Sequence, residues 1–288
     1  MSAQPETTAA VKSSSSLRQR VLTALVLAPL VIAAILWLPT IAFGSMLGLI
    51  LLSGLWEWTR MIGFRKRRLR LIVVAVNAIA MLALHFLLPL SAWIWLIYLG
   101  VAWWLLALLW LKAFNFAEQP TTRNLEIKIL VGSLLILPAW GAGILLHAQV
   151  DWVPRWTLFL VVLIWVADIC AYFAGRRFGQ NKLAPRISPG KTREGVYGAL
   201  LGCVLYAGVL AWWVLPVPSS TWPLFVALAL VTVVFSIVGD LFESLIKRHA
   251  NMKDSGSMLP GHGGVLDRVD SMLAALPIFV AGFLLLEL

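Results

Sequence analysis

One stretch of the chain reads Leu224-Phe-Val-Ala-Leu-Ala-Leu-Val-Thr-Val-Val-Phe-Ser-Ile-Val238 and continues into Gly-Asp240-Leu-Phe-Glu243-Ser244-Leu-Ile-Lys247. Its first part is almost wholly apolar, which is typical of a helix that crosses a membrane. Its second part places four polar residues at positions i, i+3, i+4 and i+7, which share one face of a continued helix. The stretch therefore predicts a membrane helix with a polar face at one end.

Similar apolar runs recur along the whole chain. Hydrophobic residues make up 61% of it and charged residues only 12%, whereas a soluble domain carries about 25% charged residues. We therefore predict an all-α fold, a polytopic integral membrane protein with about nine transmembrane helices. The predicted spans lie near residues 21–38, 41–56, 71–89, 92–111, 129–149, 156–175, 195–215, 222–245 and 270–287.

The chain is expected to fall into three parts. Residues 1–20 are polar and Ser-rich, which predicts a disordered cytoplasmic tail. A cleaved signal peptide is the less favoured alternative, because the following apolar run is longer than the 7–15 residues typical of such peptides. Residues 21–150 are predicted to hold the N-terminal transmembrane helices, and residues 151–288 a C-terminal transmembrane catalytic region.

The positive charge is distributed very unevenly over the predicted loops. With a cytoplasmic N-terminus, 22 of the 23 Lys and Arg residues fall on the cytoplasmic side, and Arg155 alone falls outside. Such asymmetry is the positive-inside rule, which accounts for the net charge of +10 without a nucleic-acid partner. The cytoplasmic segments are 1–20, 57–70, 112–128, 176–194 and 246–269.

The cysteines and tryptophans also allow predictions about where their side chains lie. Cys170 and Cys203 lie in apolar runs without metal-ligand spacing, which predicts two buried hydrophobic side chains and no disulfide. Tryptophan prefers the membrane interface, and we assign the cluster Trp93, Trp95, Trp103 and Trp104 to that use.

Several aspartates in or beside the predicted spans are candidate functional residues. Asp168 lies inside a predicted span, about two turns before Arg176, where a charge costs roughly 2.5–3.5 kcal/mol. It requires a polar cavity, a metal, a basic partner or a helix–helix hydrogen bond. Asp267 and Asp270 begin the last predicted helix, where they either stabilise its positive end or converge with Asp240 on Mg²⁺, which prefers oxygen ligands.

The loop between the last two predicted helices combines basic residues with glycines. Lys247, Arg248 and Lys253 carry the charge to neutralise phosphates, and Gly263 and Gly264 allow main-chain N–H groups to approach an anion closely. His262 lies between glycines, where it is available for hydrogen bonding. Together with the aspartates, these residues indicate phosphoryl or nucleotidyl transfer at a membrane surface.

The run from Ser244 to Asp270 resembles, without a departure, the signature of the phosphatidate cytidylyltransferases, also called CDP-diacylglycerol synthases. The segment Ile187–Glu194, which reads Ile-Ser-Pro-Gly-Lys-Thr-Arg-Glu, resembles the second motif of that family. The segment Asp168–Gly175 is similar to a third. The resemblance covers the C-terminal part of the chain, and the N-terminal half matches only in its hydrophobic spans.

The resemblance implies transfer of CMP from CTP to phosphatidate, which gives CDP-diacylglycerol and pyrophosphate in phospholipid biosynthesis with Mg²⁺ as cofactor. It implies that Asp240, Asp267 and Asp270 hold the metal. The expected catalytic residues are Asp240, Asp267, Lys247 and His262. The expected substrate-binding residues are Ser188, Lys191, Thr192, Arg248, Lys253, Gly263, Gly264, Arg268 and Asp168.

Several alternatives stay open at this point. A second, monovalent cation beside Mg²⁺ and a homodimer are both compatible with the resemblance. The expected location is the bacterial inner membrane, with the site on the cytoplasmic side. A secondary transporter would need polar residues at the midplane of several helices. A CDP-alcohol phosphotransferase would need a different aspartate pattern, and a non-catalytic lipid-binding protein would not need the aspartates.

Overall fold

The computed structural model describes residues 25–148, 154–215, 217–258 and 263–287. Within these ranges the chain forms nine α-helices and one short β-hairpin. The helices are α1 (Leu25–Trp37), α2 (Thr40–Met61), α3 (Arg67–Leu87), α4 (Leu90–Lys112), α5 (Thr122–His147), α6 (Arg155–Phe178), α7 (Arg193–Trp213), α8 (Trp222–His249) and α9 (Leu266–Leu285). The hairpin pairs β1 (Lys182–Ala184) with β2 (Ser188–Thr192) in antiparallel fashion.

The helices confirm the predicted polytopic all-α fold. Among the described residues, eight helices are long and apolar enough to cross a membrane, and α1 is shorter. The start of the first predicted span, and the predicted tail at 1–20, lie outside the described residues. The β-hairpin was not predicted, because a five-residue strand that reads Ser-Pro-Gly-Lys-Thr lacks the alternating apolar pattern of a strand.

Several helices extend beyond their predicted spans. Helix α5 begins at Thr122 rather than near 129, because the side chain of Thr121 caps it by accepting a hydrogen bond from the Asn124 N–H (3.3 Å). Helix α8 continues to His249 rather than 245. Apolar runs locate the part of a helix that suits lipid, whereas caps and polar turns decide where it ends.

The tryptophan prediction is wrong for three of its four residues. Trp93, Trp103 and Trp104 are 7%, 8% and 1% exposed, and only Trp95 is exposed, at 73%. The indole N–H of Trp104 donates to the main-chain oxygen of Leu273 (3.1 Å), which satisfies its polar atom inside the bundle. These rings pack between helices instead of facing the membrane interface. Of the two cysteines predicted to be buried, Cys203 is buried and Cys170 is only partly buried; both are free thiols.

Because consecutive helices run in opposite directions, alternate helix ends lie on the same side of the bundle. Helices α2, α6 and α8 end, and helices α3, α7 and α9 begin, on the side that carries the motifs. Gly239 of α8 packs directly against the main chain of Asp270 and the side chain of Ala274 in α9. Because glycine has no side chain, the two helices approach closely where both carry acidic residues. The predicted division at residue 150 stays a prediction.

Candidate active site

The polar face of α8 has the predicted arrangement. The Ser244 hydroxyl donates to Asp240 Oδ1 (3.3 Å), and Lys247 Nζ donates to Glu243 Oε2 (2.7 Å). Glu243 is 3% exposed, so its charge is compensated mainly by that lysine. The one-face prediction for these residues is confirmed. Glu243, which sequence reasoning left out of the site, is part of its charge network.

Lys247 also joins α8 to α9. Its ammonium group lies 2.7 Å from Asp267 Oδ1, and both side chains are nearly buried. Asp267 additionally accepts hydrogen bonds from the main-chain N–H groups of Ser255 (3.0 Å) and Gly264 (2.8 Å). Charge-assisted hydrogen bonds of this kind are roughly twice as strong as neutral ones. Asp267 therefore holds α8, α9 and the loop between them in one geometry.

A second ion pair attaches the hairpin to α8. Lys191 Nζ of β2 lies 2.6 Å from Asp240 Oδ2, and both side chains are about a third exposed (27% and 31%). The next residue, Thr192, caps α7 by accepting a hydrogen bond from the Gly195 N–H (3.1 Å). The cap fixes the end of β2 to the start of α7. Lys191 is consequently positioned by a folded segment and not by a free loop.

Two cavities meet at Asp168 and Asp240. The hairpin cavity, of about 350 Å³, is lined by both aspartates and by Tyr172, Arg176, Lys191 and Thr192. The central cavity, of about 520 Å³, has a charged end formed by Asp168, Asp240, Asp267, Arg268 and Asp270. Its remaining wall is mainly apolar and comes from α1, α2, α6 and α9, with Gly143 of α5. Asp168 thus faces a cavity that Arg176, Lys191 and Asp240 also line, one of the surroundings that its position in a membrane helix requires.

Some predicted site residues are not part of this cluster. Arg248 donates from Nε to the Ile187 main-chain oxygen (3.0 Å), which orients the hairpin. Lys253 is exposed in the loop between α8 and α9, and Gly263 adopts a left-handed φ of 82° there. Ser188 pairs with Ala184 within the hairpin. The prediction for His262 lies outside the described residues.

Two carboxylates that support the site carried no assigned role at the sequence level. Glu194 accepts hydrogen bonds from Gln180 and Asn181, including one of 2.7 Å from the Asn181 side chain, and so closes the base of the hairpin. Glu57 of α2 bonds Ser255 and Leu266 near the start of α9. Glu57 follows a long apolar run, and a carboxylate that close to a membrane span is the signal that indicates it.

The predicted three-aspartate metal site fits the structure only in part. Among the described residues, no three His, Cys, Asp or Glu side chains form a cluster able to hold a metal ion. Both oxygens of Asp267 have protein partners, Lys247, Ser255 and Gly264, and so do both oxygens of Asp240, which bond Ser244 and Lys191. Asp240 and Asp270 interact electrostatically and line the central cavity together. Mg²⁺ needs only one or two carboxylates when phosphates and water complete its shell, and these two suit that arrangement.

The fold and the site together define an integral membrane protein with carboxylates and basic side chains clustered at one end of its helices. The model of the cytidylyltransferase family matches residues 18–286. The chain belongs to this family, and it is therefore a nucleotidyltransferase.

Three relatives with similar sequences share the name phosphatidate cytidylyltransferase. The chain is 40% identical over 266 residues to a phosphatidate cytidylyltransferase of Pseudomonas aeruginosa, which covers 92% of this chain and 96% of the relative. It is 34% identical over 289 residues to the Haemophilus influenzae protein of that name, covering 91% and 97%. A Thermotoga maritima phosphatidate cytidylyltransferase is 41% identical over 133 residues, covering 45% and 49%.

Proposed function

We propose that the protein is a phosphatidate cytidylyltransferase, which transfers CMP from CTP to phosphatidate and releases CDP-diacylglycerol and pyrophosphate. One observation carries this proposal beyond the family membership. Asp168 and Asp240 line two neighbouring cavities, one with Lys191 and Arg176 in its wall and a larger one with a mainly apolar wall from the helices. A reaction between a nucleotide and a lipid needs two such neighbouring spaces.

The substrates supply most of the chemistry. An oxygen of the phosphatidate phosphate attacks the α-phosphorus of CTP, and the bond from that phosphorus to pyrophosphate breaks. Because the attacking phosphate is already anionic, the protein needs no nucleophilic side chain and no strong base. Its contribution is to position the two substrates and to stabilise the charge that develops on the phosphoryl oxygens.

The lining residues suggest how the substrates divide the site. Lys191 and Arg176 of the hairpin cavity place positive charge beside Asp240, where phosphate groups of CTP are proposed to bind. The apolar wall of the central cavity suits the acyl chains of phosphatidate, and Arg268 at its charged end suits the lipid phosphate. Lys247 keeps the adjacent carboxylates neutralised, because it already bonds Glu243 and Asp267.

We further propose Mg²⁺ as the cofactor. Five carboxylates line or adjoin the cavities, namely Asp168, Asp240, Glu243, Asp267 and Asp270, beside Lys191, Lys247, Arg176 and Arg268. A site with this acidic balance binds a triphosphate better when a divalent cation arrives with it. Asp240 and Asp270 would hold the ion, which would neutralise charge on the triphosphate and on the leaving pyrophosphate.

The orientation and location are part of the same proposal. The helix ends at the site carry most of the basic residues, so the positive-inside rule favours a cytoplasmic site in a bacterial inner membrane. A homodimer and a second, monovalent cation are separate expectations. The first is tested by the mass of the detergent-solubilised protein, and the second by the dependence of turnover on K⁺ at fixed Mg²⁺.

The deciding experiment uses the purified full-length protein in detergent with phosphatidate, Mg²⁺ and CTP labelled in the cytosine ring. Label that becomes chloroform-soluble only when phosphatidate is present supports the proposal. Absence of transfer at any Mg²⁺ concentration would refute it. Release of CMP from CDP-diacylglycerol would instead favour a CDP-alcohol phosphotransferase, and uptake into proteoliposomes without CTP would favour a transporter.

A further inference from the structure

Glu57 lies near the C-terminal end of α2, in the half of the chain that carries no recognisable motif. It is 4% exposed, and its Oε2 accepts two hydrogen bonds. The donors are the Ser255 hydroxyl (3.0 Å) and the Leu266 main-chain N–H (2.9 Å). A carboxylate of the second helix therefore binds residues that follow it by about 200 positions in the sequence.

The surrounding backbone is shaped around this side chain. A β-carbon at Gly256 or Gly264 would collide with the carboxyl group of Glu57. Leu266 is 1% exposed and packs against Gly54, one turn before Glu57 on the same helix. The two glycines and Leu266 together leave a space between α2 and the start of α9 that the Glu57 carboxyl group fills.

The cost of burying this group argues for a specific role. Among the described residues, Glu57 forms no ion pair with Lys or Arg, and its Oε1 has no hydrogen-bond partner. Packing alone would be served as well by an apolar side chain, because burial of a charge costs free energy that hydrogen bonds only partly offset. We therefore look for the role of this carboxylate in the two groups that donate to it, the Ser255 hydroxyl and the Leu266 main-chain N–H.

Both donors are next to the contacts of Asp267. The main-chain N–H of Ser255 donates to Asp267 Oδ2 (3.0 Å) while its hydroxyl donates to Glu57. Leu266 immediately precedes Asp267 in sequence. Glu57 thus binds Ser255, which itself donates to Asp267, and Leu266, which directly precedes Asp267, and the Asp267 carboxylate in turn binds Lys247 (2.7 Å).

We propose that Glu57 is a positioning residue for CMP transfer, which acts by holding Ser255 and Leu266 so that Asp267 and Lys247 keep their geometry. The proposal rests on the proposed function for its kinetic readout, but not for its structural one. Glu57 lines a separate cavity of about 370 Å³ with Arg60 and Arg70. The proposal predicts that this residue, far from the signature in sequence, controls turnover without lining the hairpin cavity or the central cavity.

The test compares Glu57→Gln, Glu57→Ala and a matched control, Glu126→Ala, an exposed glutamate of α5. The amide oxygen of glutamine can still accept both hydrogen bonds, whereas alanine cannot. We expect kcat per folded protein to fall by at least about tenfold in Glu57→Ala and by less than about threefold in Glu57→Gln. KM for phosphatidate should change little, because Glu57 does not contact the central cavity.

A second readout does not depend on turnover. Lys253 is exposed in the same loop, two residues before Ser255, so trypsin cleavage after it reports how firmly the loop is held. We expect cleavage at least about tenfold faster in Glu57→Ala than in wild type, with wild-type rates in Glu57→Gln and Glu126→Ala. If wild type transferred no CMP, the proposed function would fail while this assay still tested the contact.

Two results would overturn the inference. One is a folded Glu57→Ala protein with wild-type kcat and wild-type cleavage at Lys253. The other is equal loss in Glu57→Gln and Glu57→Ala, because the charge rather than the two hydrogen bonds would then matter. Ser255→Ala adds a cross-check: if the residues act together, the double variant with Glu57→Ala should lose less than the sum of the two single losses.

Discussion

Removal of the Lys247 ammonium group is the sharpest test of the charge network. Lys247 bridges Glu243 and Asp267, whose side chains are 4% and 9% exposed. In Lys247→Met the two carboxylates would remain in a nearly dry environment without their cation. Removing one partner of a buried ion pair typically costs about 3–5 kcal/mol, because the remaining charge is uncompensated. We expect Lys247→Met to lose that much stability and to lose turnover.

The assay is thermal unfolding of the purified protein in detergent, monitored by the reaction of the buried Cys203 thiol with a fluorescent maleimide. The matched control is Lys112→Met, which removes an exposed lysine at the end of α4 and should change stability by less than about 0.5 kcal/mol. Lys247→Met combined with Glu243→Gln should recover part of the loss, since one unpaired charge is gone. A Lys247→Met protein as stable as the control would refute the assignment of a tightly coupled network.

Further predictions concern the two cavities and the hairpin. Lys191→Met should change stability by less than about 1 kcal/mol, because its ion pair with Asp240 is partly exposed, yet it should lower CMP transfer at least about tenfold. Asp240→Asn should abolish most transfer and raise the Mg²⁺ concentration needed for the remainder; full turnover would contradict its proposed metal role. Thr192→Ala should cost about 1 kcal/mol in thermal unfolding by removing the α7 cap, and Thr192→Ser should restore it. Chelation of divalent cations should stop transfer, and Mg²⁺ should restore it.

Much of the architecture was predictable because lipid imposes a simple requirement. A span must be long, apolar and helical, and each of the nine predicted spans overlaps a helix of the described chain. Helix ends were harder to predict, since they depend on single capping contacts such as Thr121 with Asn124. The burial of Trp104 was not predictable from composition, because its indole N–H depends on the main-chain oxygen of Leu273 that a neighbouring helix offers.

The site was predictable where its residues are close in sequence. Helical spacing placed Asp240 and Lys247 on one face, and the ion pairs of both confirm a charged cluster there. Spacing did not reveal that Lys191 would contact Asp240, because the hairpin that carries it has no periodic pattern. Helical spacing also did not indicate the partners of Glu57, because the contact between α2 and α9 depends on the packing of helices that are distant in sequence.

The contact between Glu57 and the start of α9 has a consequence for biosynthesis. The α2 helix is made and inserted before Ser255 and Leu266, which leave the ribosome about 200 residues later. Until then, the Glu57 carboxylate lacks both of its hydrogen-bond donors. Premature termination before residue 255 would therefore yield a membrane-inserted fragment with an acidic group unsatisfied in its interior, which quality-control proteases can recognise as incomplete.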